Sequence, residues 1–343
     1  MSGTQVRPPQ PDATGSSDAG DRARDAMAWL MAGRLPTATA FVLLAIAFAI
    51  NVVVNDNFLT AFNIRSIMAN ALPLAAVAVG QTIIVIGRGI DLSIGVTAAL
   101  ASVVTVTLVE PLGLLPAMAV GLATGAACGL VNGVLVGIVR LQPIVATFAT
   151  SFVWAGLALW VLPPAGSGEA APRMPQGFTQ GFRDTTLGIP NGAWLLLGLV
   201  GLWLLLKRTR FLRHVYAVGG DELAAYATGV RVVGVQVLTY VVGGAFAGLA
   251  AFAMLANSGS GDALSGGGLT LISIAALVIG GTRLSGGAGG AGGTVVGVLV
   301  LQLLSNIVVA LRPPTEMRQL IDGLLVIAAL ALAGLWSNRR GGR

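Results

Sequence analysis

Few side chains in this sequence can do chemistry, and their scarcity already excludes several kinds of protein. There is one histidine, His214, one cysteine, Cys128, and one lysine, Lys207. A single His and a single Cys cannot build a His/Cys metal cluster, and one Cys allows no disulfide within the chain. No G-x-x-x-x-G-K-[ST] phosphate loop exists, because Lys207 follows Leu204-Leu205-Leu206. ATP hydrolysis through that motif is therefore excluded. Gly287, Gly289 and Gly292, within the run 286–293 (GGAGGAGG), formally match G-x-G-x-x-G. The dinucleotide reading fails, because no βαβ context surrounds them and no acidic residue stands about 20 positions on. A tight turn with close helix contact accounts for the run.

The remaining chemistry lies in charges that interrupt apolar runs. Residues 87–95 read Gly87-Arg88-Gly89-Ile90-Asp91-Leu92-Ser93-Ile94-Gly95. A charge at bilayer depth is costly and marks function or pairing. The glycines permit an unwound or sharply turned backbone, and Asp91 and Ser93 can satisfy freed amides where the next helix starts. Asp91 thus has two readings, a helix cap at a break or a group for gating or coupling. Arg88 either pairs with Asp91 or faces the cytoplasm. Asp322, early in the last apolar run, is similarly ambiguous. A short internal echo links Val85-Ile86-Gly87…Leu92-Ser93 to Val278-Ile279-Gly280…Leu284-Ser285, with spacing that differs by one residue; internal repeats are common in transporters.

The elements that must position these residues are membrane helices. The chain is 55% hydrophobic and 10% charged, against about 25% charged in soluble proteins. Ten apolar segments fall near 37–55, 71–87, 92–109, 113–139, 143–162, 192–208, 233–257, 269–281, 293–311 and 319–336. A full span needs about 20 residues. Segment 269–281 is too short and 71–87 is marginal, so either is a candidate half-span or re-entrant piece, tolerated only where protein or a cavity covers its ends. The expected class is an all-α polytopic membrane protein with about 8–10 transmembrane helices, including short or re-entrant segments. Residues 1–36 form a disordered or interfacial tail, 37–336 the transmembrane domain, and 337–343 a C-terminal tail. Within 21–34 a surface-lying helix and a plain tail are both open. The loop 163–191, rich in Pro and Gly, covers an outer mouth, receives a soluble partner or merely connects.

Orientation follows from the cations. With ten crossings and an internal N-terminus, fifteen of the twenty Lys and Arg residues lie inside, and Arg65, Arg173, Arg183, Arg312 and Arg318 lie outside. Both termini are then cytoplasmic. The same rule explains a pI near 10.6 without nucleic acid. Gly121, Gly125, Gly129, Gly133 and Gly137 recur four apart and draw one slowly drifting groove along a helix. Close helix packing is the first reading, a cleft beside Asn132 the second. Residues 207–232 form a polar, basic island between two apolar runs, with Lys207, Arg208, Arg210, Arg213, His214 and Arg231. Its middle, Gly219 to Ala225, reads as a turn followed by a short helix, a surface on which an energy source can dock.

Five motifs in order carry a family resemblance over about residues 40–335. They are Gly89-Ile90-Asp91-Leu92-Ser93-Ile94-Gly95; Val131-Asn132-Gly133; Gln142-Pro143-Ile144-Val145-Ala146-Thr147; Tyr216-Ala217-Val218-Gly219-Gly220 through Ala225 and Gly229-Val230; and Ile279 through Gly289. The sequence resembles the permease subunit of bacterial ABC importers of the ribose/xylose/galactose type, within the superfamily that includes branched-chain amino acid permeases. Arg88, where the family usually has Gly, Arg283, where a small polar residue is commoner, and the long N-terminal tail depart from the pattern.

The resemblance implies an ABC importer permease fold in the bacterial inner membrane and a transport subunit rather than an enzyme. It implies a second permease subunit, identical or a paralogue, and an extracytoplasmic sugar-binding protein. It also implies a cytoplasmic ABC ATPase that binds the ATP and Mg, with no cofactor on this chain. Tyr216, Gly219, Gly220, Asp221, Glu222, Ala225 and Gly229 would couple to the ATPase. Gln81, Thr82, Asp91, Ser93, Asn132, Thr147 and Asn306 are candidate pathway or gating residues, each with an interhelical hydrogen bond as its alternative. The cargo expected is a monosaccharide such as a pentose, with nucleosides, a signalling sugar and amino acids open. The competing readings are a gradient-driven carrier using Asp91 and Asp322, and a passive channel.

Overall fold

The computed structural model describes residues 38–163 and 171–311, and positions 314, 317, 320, 321, 323, 324, 327 and 331 beyond them. The tails 1–36 and 337–343 and Asp322 lie outside the described residues. The described chain is almost wholly helical, as lipid requires when every backbone polar group must be satisfied internally. Its elements are α1 (Ala38–Val54), α2 (Ala61–Ile86), α3 (Ile94–Leu112), α4 (Leu114–Gly133, continued by a π turn over Val134–Ile138), α5 (Pro143–Val161) and α6 (Gln176–Arg183). A two-stranded hairpin, β1 (Thr185–Thr186) and β2 (Ile189–Pro190), precedes α7 (Asn191–Arg208), α8 (Arg210–Gly220), α9 (Glu222–Ala227), α10 (Val232–Ser258), α11 (Gly267–Ile279) and α12 (Ala291–Leu311). Six of these, α2, α3, α4 with its π turn, α5, α10 and α12, are long and apolar enough to cross a membrane.

The structure corrects the marginal segment 71–87. It is the second half of α2, a helix of 26 residues whose first turns carry Asn63, Arg65, Ser66 and Asn70. Those polar residues concealed the helix from an apolar scan. Thr60 caps it by accepting from the Asn63 amide. From Ala71 to Ile86 every residue is buried, the signature of a helix enclosed on all sides. α2 is the central post, with α10 packed along it.

The glycine groove of α4 is a packing seam. Added side-chain carbons at Gly125, Gly129 and Gly133 would meet the α10 backbone at Gly244, Tyr240 and Val237, and one at Gly121 would meet Thr105 of α3. Small residues thus let backbones touch where lipid offers no hydrophobic drive to association.

α11, with 13 residues, is about 20 Å long, too short to cross alone. The chain reaches its start without a helix. Gly261 packs on Val103 and Val106 of α3, and Gly266 packs on Gly95 and Ala99. Thr270 Oγ1 then accepts from the Gly95 amide at 3.1 Å. Residues 259–266 therefore descend beside α3, and α11 begins alongside the first turns of that helix.

Asn306 belongs to an amide ladder at the far end from α8 and α9. Its Oδ1 accepts from Asn55 at 3.1 Å, and its Nδ2 donates to Asn63 at 3.0 Å. It ties α12 to the α1–α2 hairpin, away from the other candidate residues.

Candidate functional site

α2 ends at Gly87 with a Schellman cap. The Arg88 amide donates to Val85 and the Gly89 amide to Ile84, with Arg88 at φ 65°. α11 ends identically, the Gly281 amide donating to Val278 and the Thr282 amide to Leu277, with Gly281 at φ 86°. The sequence echo is thus a repeated way of stopping a helix. It also shows what the departure at residue 88 entails: Arg88 occupies the left-handed position that glycine fills at no steric cost.

After the cap the chain turns back into the protein instead of leaving it. Gln81, on α2, pairs with the Asp91 backbone, its amide donating to the carbonyl and accepting from the N–H, both at 3.2 Å. Asp91 Oδ1 accepts from the Ser93 amide and hydroxyl, each at 2.7 Å. Asn132 Nδ2 of α4 donates to Asp91 Oδ2 at 3.2 Å and to Ser93 Oγ at 2.8 Å. Thr150 of α5 donates to Asn132 Oδ1 at 2.7 Å. Thr147 Oγ1 accepts from the Leu92 amide at 2.9 Å, and Tyr240 of α10 reaches the Ile90 carbonyl at 3.5 Å. All these side chains are buried. Three helices, α2, α5 and α10, therefore supply the partners that non-helical backbone needs where water is absent, and α4 braces the side chains of the break.

This arrangement locates the expected residues. Gln81, Asp91, Ser93, Asn132 and Thr147 come together, but around the helix break and sealed from solvent. Ser93 holds the N-cap position of α3 without capping it, because its hydroxyl is spent on Asp91. Thr82 stands apart, bonded to Thr294 of α12 at 2.8 Å. Arg88 does not pair with Asp91. Its Nε donates to the Gly219 carbonyl at 2.9 Å and its Nη2 to that of Gly220 at 2.8 Å. Thr150 and Tyr240 escaped the sequence reading, although Thr150 lies one helical turn beyond Thr147 and Tyr240 is one of three tyrosines.

Removing the Asp91 carboxylate orphans three donors in a dry interior, each costing about 1–3 kcal/mol. Asp91→Ala is therefore expected to lower the unfolding temperature in detergent markedly, and Asp91→Asn less, since one acceptor oxygen survives. Equal stability of Asp91→Ala and the parent would show that the network does not hold the break.

The second half of the site is the base formed by α8 and α9. Thr209 caps α8, whose Leu212, Val215, Val218 and Gly219 are buried while Arg210, Arg213 and His214 are exposed. The basic island is thus an amphipathic helix, not a linker. Asp221 caps α9 by accepting from Ala224 at 3.0 Å, and Gly229 at φ 85° ends it. On α9 Ala225 is buried, whereas Leu223 is 82% and Tyr226 73% exposed. Glu222 is exposed as well. With Arg88 and Arg140 it lines a cavity of about 350 Å³.

The glycine run 286–293 locks this base to α2. The Gly287 amide donates to the Ile86 carbonyl at 2.9 Å, and Tyr216 donates to the Gly289 carbonyl at 2.6 Å. Burial pushes the Tyr216 phenol up to about 12, so it remains a donor at any physiological pH. Gly219 lies against the Ile86 carbonyl and Gly287 with no room for a side chain.

The profile of the family described as "Branched-chain amino acid transport system / permease component" matches residues 63–330. The ribose import permease protein RbsC of Bacillus subtilis (strain 168) is 35% identical over 286 residues, 82% of this chain and 87% of that protein. The D-allose transport system permease protein AlsC of Escherichia coli (strain K12) is 32% identical over 305 residues, 88% of this chain and 92% of that one. The fructose import permease protein FrcC of Rhizobium meliloti is 32% identical over 305 residues, 87% and 85% respectively. No solved structure matches the chain.

Proposed function

The chain belongs to the family of branched-chain amino acid transport system permease components, and from that premise we propose that it is the membrane-spanning subunit of an ATP-driven importer of a monosaccharide. Relatives named for ribose, allose and fructose import support the cargo class. The single observation that carries the energetic half is α9, where Leu223 and Tyr226 stand exposed beside Glu222. An exposed tyrosine beside an exposed leucine on a short capped helix forms a knob for a protein groove, and tyrosine is among the side chains enriched at interface hot spots.

The partner at that knob is a cytoplasmic ABC ATPase carrying ATP and Mg. The α8–α9 end holds Arg88, Arg140, Lys207, Arg208, Arg210, Arg213, Arg231 and Arg283, against Arg65, Arg173 and Arg183 at the opposite end. By the positive-inside rule the base faces the cytoplasm, with both termini there and the chain in the inner membrane. A sugar-binding protein delivers cargo at the opposite face, and a second permease subunit completes the passage.

The test is uptake of labelled sugar by vesicles holding the permease, its ATPase and a binding protein. Uptake is expected to require ATP and to survive a protonophore. Uptake that collapses with the protonophore and ignores ATP would instead establish a gradient-driven carrier using Asp91 or Asp322. Against that carrier stands the state of Asp91, whose oxygens are already engaged by Ser93 and Asn132.

A further inference from the structure

Six of the seven polar residues first expected to line a passage, all but the half-buried Asn306, are sealed inside the fold. Polar residues that do face outward, a carboxylate among them, lie in the segment entering α11. Gly261 rests on Val103 and Val106, and Gly266 on Gly95 and Ala99. Asp262 and Ser265 therefore lie alongside α3 between its first and fourth turns, well within a helix of 19 residues, about 28 Å long. One side of the segment is buried: Ala263 packs with Leu100, Val103, Trp154 and Ala158. On the other side Asp262, Ser265, Gly267 and Gly268 are exposed, flanked by Leu264 and Leu271.

Lipid is a poor neighbour for that face. Aspartate at the centre of a bilayer costs about 2.5–3.5 kcal/mol even on a helix. Non-helical backbone at membrane depth survives only against protein or a water-filled cavity. Asp262 is also only half engaged. Its Oδ1 accepts from the Leu264 amide at 2.8 Å, while Oδ2 has no donor among the described residues. A carboxylate oxygen held by its own turn and open on the other side is an acceptor for a hydroxyl. Ser265, whose Oγ donates to the Asp262 carbonyl at 2.8 Å, offers lone pairs beside it, and the two glycines leave room for a ring.

We propose that Asp262 and Ser265 line the water-filled passage and accept hydrogen bonds from the hydroxyls of a sugar crossing it. This assignment rests on the importer reading for the cargo but not for the location. Weak, one-sided acceptors suit a site that must release what it binds.

The location is tested on the full chain in proteoliposomes with Cys128→Ala as background. Ser265→Cys is expected to react with a quaternary-ammonium methanethiosulfonate at least tenfold faster than Ser273→Cys, a control whose parent hydroxyl is buried on α11. Equal rates would overturn the proposal. Neither ATPase nor binding protein is needed, so this arm stands if the importer reading fails. Contact with cargo is tested by Asp262→Asn in the complete transporter, where the turn keeps its acceptor for Leu264. The ratio of pentose to hexose uptake is expected to change several-fold. An unchanged ratio would overturn the contact.

Discussion

Changing Leu223 and Tyr226 together to aspartate is expected to reduce ATPase co-purification and sugar uptake to background while the permease stays folded. Both side chains project from α9 at 82% and 73% exposure and support no core cluster, so the fold loses little. Surface substitutions away from packing usually stay within about 0.5 kcal/mol. The interface loses much more, because truncating a buried anchor costs about 2 kcal/mol or more and aspartate adds a charge to desolvate. Loss of one such anchor, the tyrosine, lowers affinity roughly thirtyfold at 1.4 kcal/mol per decade, and the two new charges are expected to lower it further. Monodispersity in detergent and retained unfolding temperature check the fold, and pull-down of the ATPase checks the interface. Undiminished pull-down would remove α9 from the docking surface. Ala225→Asp is the contrasting case, since Ala225 is buried against the core and its replacement should damage folding itself.

How far such a surface was legible in the sequence differs from residue to residue. The polar island between two apolar runs marked the region of α8 and α9, and the absent phosphate loop pointed to an external source of energy. Which residues of α9 project did not follow, because six residues have too little periodicity to define a face. Asp91, Ser93, Asn132 and Thr147 were recognisable as polar residues at breaks in apolar runs. Whether they line a path or seal a break depends on tertiary distance: Asp91 and Asn132 are 41 positions apart and meet only because α3 and α4 form a hairpin. Asn306 looked equivalent in sequence and belongs to another end of the molecule. Conversely, Asp262 carried no signal. It sits among Ser and Gly in what reads as a surface loop, and only packing against α3 places it at membrane depth.

The same geometry indicates how motion at the base reaches the helix break. Arg88 is four residues from the N–H of Leu92 that Thr147 holds, and its guanidinium grips the last carbonyls of α8. Gly219 and Gly287 press on Ile86, the last residue of α2. Displacement of α8 must therefore move Arg88 and Ile86, which flank the turn leading to Asp91. Gly219→Val is expected to abolish coupled uptake, because its side chain would occupy the space of the Ile86 carbonyl and force the seam apart. Overpacking of this kind costs about 1–3 kcal/mol or more, so loss of fold must be separated from loss of coupling. Arg88→Gly makes that separation. It removes both guanidinium hydrogen bonds yet relieves a left-handed conformation that costs a non-glycine residue about 1–2 kcal/mol. The unfolding temperature is expected to change little, while sugar transported per ATP hydrolysed falls at least tenfold; Arg88→Lys, with a donor but no fork, should recover part of it. Full coupling in Arg88→Gly would mean that the backbone contacts of Gly219, Ile86 and Gly287 carry the motion alone, and that the arginine serves only the cavity it shares with Glu222 and Arg140.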